Sequence, residues 1–443
     1  MSGEASVTRK VPRVAARAHG TTEPRRPAWG RFDGSLLDAW QARAAVLEAE
    51  VPSPHDPESR AYLEAMAASD FSPFFRRLES AAAETAVMDG YRVVMLGANN
   101  YLGLTTDPRV TRASIAAIER YGTGCTGSRF MNGTLPLHLE LESRMARFLR
   151  KEAALVFSAG FLANIGVLSV VAGRHAYLFS DRANHASICD GISASRAEPM
   201  RFEHNDPDSL AEKLRRAPAA AVKWVVVEGV HSMFGDVCPL REIIAVARAH
   251  GARIILDDAH GVGVLGDAGR GTANHLQVED EVDLIVGTFS KSFASYGGFV
   301  AGDRGTIEQL RYGTRSFIFT AGPPPATVAT VLAALDVLEQ DPAIVSRLRQ
   351  NTLELAGRLR AAGLVDRDPP AAIIPLVIGS NDRTWKAWRL LYEGGVYTNA
   401  AFPPGVPAGQ ALLRLSLMAT LRPESIEYAA NAITSAFRVL RLT

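Results

Sequence analysis

Three brief runs of apolar and β-branched residues, 224–227, 253–256 and 284–286, each ending at a polar or glycine-rich turn, constrain this chain most. Runs this short, separated by helix-like stretches, read as buried strands of a mainly parallel sheet in an α/β fold. The alternation extends from a strand at 93–96 to a long apolar helix at 324–339. In an open parallel sheet, side chains just beyond the strand ends converge on the ligand crevice. Glu228, Asp257 and the segment 287–291 are therefore expected in one neighbourhood.

At 443 residues the chain suits one large α/β domain plus a smaller one. The expected division is a disordered basic tail over 1–35, a helical segment and short strand over 36–98, a large cofactor-binding domain over 99–335 and a smaller C-terminal α/β domain over 336–443. Helical spacing at 36–66 is broken by Pro52, Pro54 and Pro57. The end domain is expected to contain a helix at 344–362, a strand at 373–378, a helix at 384–394, a strand at 412–417 and a final helix from Pro423.

With 47% apolar and 21% charged residues and a net charge of +1, no global field favours nucleic acid or an anionic membrane. The tail, with Arg9, Lys10, Arg13, Arg17, Arg25 and Arg26 against Glu4 and Glu23, lacks the apolar region of a secretory signal. Cys125, Cys189 and Cys238 are scattered without metal-ligand spacing, so no metal site is read and a reducing, cytoplasmic location is expected. Apolar stretches such as 156–173 are interrupted by Ser, Asn and Gly and fall short of a membrane span, which leaves only transient contact with a membrane surface open.

Lys291 sits in Gly287-Thr288-Phe289-Ser290-Lys291-Ser292, just after an apolar strand. Glycine and small hydroxyl residues beside a lysine suit a phosphate held by N–H and hydroxyl groups with an amine nearby. Alone, such a lysine is more often solvent-facing. Asp257 closes a strand and opens Asp257-Asp258-Ala259-His260-Gly261, where a carboxylate can pair with a protonated ring nitrogen and His260 can reach a ring oxygen or substrate. The competing reading makes Asp258 a helix cap and Asp257 a turn acid. His185, set among small residues in Asn184-His185-Ala186-Ser187-Ile188, can lie on an aromatic cofactor or simply be packed. Gly160 and Phe161 follow a strand and open a helix whose free N–H groups can receive phosphate. Tyr296, in the lysine loop, reads as packing rather than as a substrate contact.

These segments, with Asn99-Asn100-Tyr101-Leu102-Gly103-Leu104 and Gly124-Cys125-Thr126-Gly127-Ser128-Arg129, resemble the α-oxoamine synthases over about residues 71–428. These fold-type I, aspartate aminotransferase-like enzymes use pyridoxal 5'-phosphate (PLP) to join an amino acid to an acyl thioester with loss of carbon dioxide. Segments 121–133, 289–298 and 412–420 are most similar to the bacterial serine palmitoyltransferase branch. The resemblance implies condensation of L-serine with palmitoyl-CoA to 3-ketodihydrosphingosine, CoA and carbon dioxide. It implies catalytic roles for Lys291, His185, Asp257 and His260: Lys291 as Schiff-base lysine and proton-transfer base, Asp257 on the pyridine nitrogen, His185 stacked on the ring and His260 on its oxygen.

The resemblance also implies phosphate held by Gly160, Phe161, Thr288 and Ser290, with Thr320 supplied across a homodimer with shared active sites. Ser232 would border the cofactor, while Asn99 and Arg414 would bind the substrate carboxylate. Departures at Leu421-Arg422, where the branch has His-Thr, and at His231, where it has an aromatic residue, keep open an aminoketone synthase of a secondary-metabolite pathway. That enzyme would use another small amino acid or an acyl carrier protein thioester. The same fold also serves aminotransferases and amino-acid lyases, and in some relatives an active chain pairs with a non-catalytic subunit in a heterodimer. Such a subunit typically lacks the lysine that this chain has.

Overall fold

The computed structural model describes residues 34–50 and 72–442. The basic residues from Arg9 to Arg26 and the prolines Pro52, Pro54 and Pro57 lie outside the described residues. Thirteen strands are labelled in chain order: β1 Thr85–Met88, β2 Tyr91–Met95, β3 Ala153–Phe157, β4 Tyr177–Asp181, β5 Glu198–Phe202, β6 Lys223–Glu228, β7 Arg253–Asp257, β8 Leu284–Thr288, β9 Gly298–Gly302, β10 Ile373–Gly379, β11 Val396–Tyr397, β12 Asn399–Ala401 and β13 Ala411–Ser416.

The main sheet has the order β3-β9-β8-β7-β6-β4-β5. Its neighbours from β8 to β5 pair in parallel, and β9 alone is antiparallel, to both β8 and β3. The expected mainly parallel sheet is therefore present. Its central strands are uninterrupted apolar runs because both faces are covered. Val225, Val227, Ile254, Leu256 and Ile285 enter one core cluster, while Trp224, Val226, Ile255, Leu284 and Val286 enter another. This is the period-two alternation of strand side chains, with apolar residues on both sides. Each such buried aliphatic side chain contributes about 1.5–3 kcal/mol relative to an exposed one.

The helix Pro325–Gln340 leads out of this sheet, and beyond it the chain forms the helices Ala343–Ala361, Asn381–Glu393 and Pro423–Val439. An antiparallel sheet β10-β13-β12 lies in this part, and it sets Arg414 of β13 opposite Pro375 and Asn399. The expected helices and strands after residue 340 all form, with ends shifted by up to three residues. The expected strand at 93–96 is β2, flanked by the hairpin partner β1 and by β11 from far along the chain. The Tyr392 hydroxyl donates to the Met88 carbonyl at 2.7 Å, so the N-terminal hairpin is tied to the C-terminal elements.

Candidate active site

Three neighbouring strands end on chemistry-bearing residues: Glu228 on β6, Asp257 on β7 and Thr288 on β8. The helix Gly160–Val171 begins opposite them, and Ala159 at its cap offers no side-chain hydrogen bond. Its first N–H groups have no intrahelical acceptors, and the positive end of the helix faces the crevice. Between them lies a cavity of about 300 Å³ lined by Gly160, Phe161, His185, Asp257, Thr288 and Lys291, among others. A side chain at Gly160 would strike Thr288, its Cβ standing 2.9 Å from the Thr288 Cβ. Glycine therefore lets the helix end approach the hydroxyl loop, where Thr288 Oγ1 and Ser290 Oγ are 2.8 Å apart.

Asp257 is oriented from both sides. Asn164 Nδ2 donates to Asp257 Oδ2 at 2.6 Å and to Ser187 Oγ at 2.9 Å, and the Ala259 N–H donates to Asp257 Oδ1 at 3.1 Å. Its neighbour Asp258 points away and accepts from the Thr272 N–H at 2.7 Å and Oγ1 at 2.6 Å. Asp258 thus holds the start of the helix Thr272–His275, and burial pushes its carboxyl up to about 6. Asp258 fixes a helix, while Asp257 faces the cavity.

The Lys291 amine makes no hydrogen bond or ion pair with the described residues. Burial lowers its pKa to about 8 against the opposing charges of Asp257 and Glu228. Burial, reinforced by the charge of Asp257, pushes Glu228 up to about 8, while the His185 backbone N–H donates to its carboxylate. His185 caps the helix Ala186–Ala194, with Nδ1 accepting from the Ser187 N–H at 3.2 Å, so the neutral ring carries its proton on Nε2. Burial lowers its pKa.

A second cavity, of about 560 Å³, shares His185, His260 and Lys291 with the first and adds Phe74, Asn99, Ser232, Tyr397, Asn399 and Arg414. Arg414 is 3% exposed and has no ion pair among the described residues. Its Nε donates to the Ser232 carbonyl, Nη1 to Asn99 Oδ1 at 3.0 Å and Ser416 Oγ at 2.6 Å, and Nη2 to Tyr101 Oη at 3.3 Å. A buried cation facing a cavity without its own carboxylate is suited to receive one from a ligand. Tyr101 accepts from Arg414 and passes its own proton toward His260 Nδ1, 2.7 Å away, which leaves His260 Nε2–H as the donor toward the cavity. Burial and the surrounding cations hold His260 well below the usual histidine range, hence neutral.

Gly160, Phe161, His185, Asp257, His260, Thr288, Ser290 and Lys291 all line the first cavity, and Ser232, Asn99 and Arg414 the second. Thr320 lines neither; it borders a separate apolar cavity with Phe130, Met131 and Phe319. Tyr296 is not a packing residue, since it is 61% exposed and lines the Lys291 cavity. No local sequence signal marks Tyr101 or Asn164 as functional; Tyr101 stands in the segment 99–104, but only the fold brings it to His260 and Arg414. Of the departures, Leu421 is buried, and Arg422 is a surface ion pair with Glu84 at 2.9 Å. Neither lines the two cavities.

The chain and its fold have relatives among known proteins. Residues 91–433 match the family model described as aminotransferase class I and II. The chain is 41% identical over 365 residues to a serine palmitoyltransferase of Sphingobacterium spiritivorum, covering 82% of this chain and 92% of that one. It is 42% identical over 369 residues to an 8-amino-7-oxononanoate synthase of Geobacter metallireducens, covering 83% and 94%. A high-resolution structure of serine palmitoyltransferase with a PLP internal aldimine superposes with a TM-score of 0.83 at 36% identity, covering 93% of this chain and 100% of that chain.

Proposed function

The chain belongs to the α-oxoamine synthases, within the fold-type I pyridoxal phosphate enzymes, and we propose that it condenses L-serine with a long-chain acyl-CoA, palmitoyl-CoA in the first instance, releasing 3-ketodihydrosphingosine, CoA and carbon dioxide. The observation that carries this reading is one cavity system joining a strand-end aspartate, a phosphate-ready helix end and, among the described residues, an unpaired lysine and a buried arginine without a counter-ion. The residues fit the cofactor: Gly160, Phe161, Thr288 and Ser290 would hold its phosphate, Asp257 its ring nitrogen, His185 its face and His260 its ring oxygen. When bound, pyridoxal phosphate supplies an electron sink for charge developing at the α carbon of the amino acid.

The protein's own groups do the rest. Arg414 and Asn99 grip the substrate carboxylate, with the Tyr101 hydroxyl buttressing the guanidinium, and set which bond at the α carbon lies perpendicular to the ring. Lys291, whose amine becomes neutral as pH rises through about 8, takes the α proton and later returns it. Asn164 and Ser187 keep Asp257 aimed, and the neutral His260 donates from Nε2 without adding charge. The Arg414 cavity is bounded by Phe74 and Tyr397, apolar surface along which the acyl thioester would approach.

A homodimer completes the site in this reading, with Thr320 reaching the partner's phosphate. Phe130, Met131 and Phe319 beside it are 47%, 78% and 73% exposed, a patch that an obligate interface would cover. Light scattering should then give twice the chain mass. The departures at Leu421 and Arg422 lie away from the cavities, so they supply no direct support for a different amino acid. Absorbance titration of the holoenzyme with serine, glycine and alanine tests the assignment: serine alone should perturb the cofactor band at low concentration. An equal or stronger response to glycine or alanine, or turnover only with an acyl carrier protein thioester, moves the enzyme to the secondary-metabolite reading.

A further inference from the structure

Behind the Arg414 cavity, three segments bring Asp181, His204, and the pair His231 and Asp236 together. His204 Nδ1 lies 3.0 Å from Asp181 Oδ1, and His204 Nε2 lies 2.9 Å from Asp236 Oδ2. His231 packs edge-on against His204 with ring centroids 4.2 Å apart. One ligating atom from each of Asp181, His204 and His231 lies within 4.8 Å of the other two. His231 is 3% exposed, yet neither of its ring nitrogens has a hydrogen-bond partner among the described residues; the nearest carboxylate oxygen, Asp236 Oδ2, is 3.5 Å from Nδ1.

A buried imidazole with both nitrogens unsatisfied is costly unless something binds it. Its neighbours are a histidine and two carboxylates, a donor set of nitrogen and oxygen that suits a borderline dication. We propose that Asp181, His204 and His231 form a divalent transition-metal site of the zinc class, with Asp236 orienting the imidazoles. In a tetrahedral site with metal–ligand distances of about 2.1 Å, ligand atoms stand roughly 3.4 Å apart, so the 3.0 Å pair needs only a small opening. His204 ligates through Nδ1, and its Nε2–H donates to Asp236, the carboxylate–histidine–metal arrangement that fixes a ligand's tautomer and basicity.

Charge supports the assignment. Two carboxylates and a dication sum to zero with both imidazoles neutral. The remaining contacts hold the two carboxylates: the N–H groups of Ala183 and Asn205 donate to Asp181 at 2.8 Å each, and the Asn205 side-chain Nδ2 donates to Asp236 at 2.6 Å. His231 directly precedes Ser232, whose carbonyl accepts from Arg414. The site therefore braces one wall of the amino-acid cavity without lining it.

The test is metal retention by the untagged holoenzyme, loaded with zinc chloride, exchanged into metal-free buffer and analysed by mass spectrometry, beside competition with a chromophoric chelator. Wild type should keep about one zinc per chain. His231→Phe, which restores an aromatic of similar size, should keep its cofactor absorbance and bind zinc at least about tenfold more weakly. Asp181→Asn gives the same comparison if His231→Phe fails to take up cofactor. No retained zinc in wild type, or equal retention by wild type and the variants, overturns the site.

Discussion

Replacing Arg414 by lysine should separate the roles of charge and geometry at the amino-acid site. The guanidinium has five N–H donors. Nε is committed to the Ser232 carbonyl, both Nη1 hydrogens to Asn99 and Ser416, and one on Nη2 to Tyr101, leaving one Nη2 hydrogen for a ligand. An ammonium has three donors, which the Ser232, Asn99 and Ser416 oxygens absorb, so the charge survives while the ligand's hydrogen bond does not. A charge-assisted hydrogen bond contributes about 1.5–3 kcal/mol, so the KM for the amino acid should rise by roughly 10- to 150-fold in Arg414→Lys. Steady-state kinetics with each substrate varied in turn reads this directly, and the KM for the acyl thioester should stay within about twofold. Equal rises in both constants, or an amino-acid KM unchanged in a variant that keeps its cofactor spectrum, would refute the assignment of Arg414 to the carboxylate.

Gly160→Ala should push Thr288 away from the helix end, because the new methyl would stand 2.9 Å from the Thr288 Cβ; overpacking of about 1–3 kcal/mol predicts weaker cofactor retention by about 5- to 150-fold, measured by dialysis and fluorescence. Lys291 has its pKa lowered from 10.5 to about 8, chiefly by burial, so the neutral amine gains population as pH rises through 8. Covalent capture of the cofactor aldehyde by the apoprotein should accordingly accelerate up to about pH 8 and then level off. A rise continuing to about pH 10, the ordinary lysine range, would contradict this. Asp258→Ala removes two short hydrogen bonds to Thr272 at a fully buried position and should destabilise the fold by about 2–4 kcal/mol in denaturant titration. The same variant should leave the KM for the amino acid near wild type.

The strands β6, β7 and β8 are legible in the sequence because burial on both faces makes each a continuous apolar run. β9 is not, since Gly298, Ala301 and Gly302 give it little apolar side chain and its antiparallel course breaks the βα rhythm. The edge strand β5 carries Glu198 and Arg201 and offers no apolar run either. At the site, Lys291, Asp257, His260 and His185 stand out because each sits in a short segment with its own turn chemistry. Asn164 lies on an otherwise apolar helix and reaches Asp257 from 93 residues away, while Tyr101 reaches His260 across 159. The cluster of Asp181, His204 and His231 has no local spacing at all; it exists because β4, β5 and β6 lie side by side and end together.

Condensation with decarboxylation, started at Lys291, is the central claim, and carboxyl-labelled L-serine tests it most directly. Incubated with holoenzyme and palmitoyl-CoA, it should release labelled carbon dioxide and free CoA in equal amounts, with an unlabelled long-chain aminoketone of the mass of 3-ketodihydrosphingosine, and Lys291→Ala should abolish all three. Label retained in an organic product, or labelled carbon dioxide released without acyl thioester consumption, would contradict it.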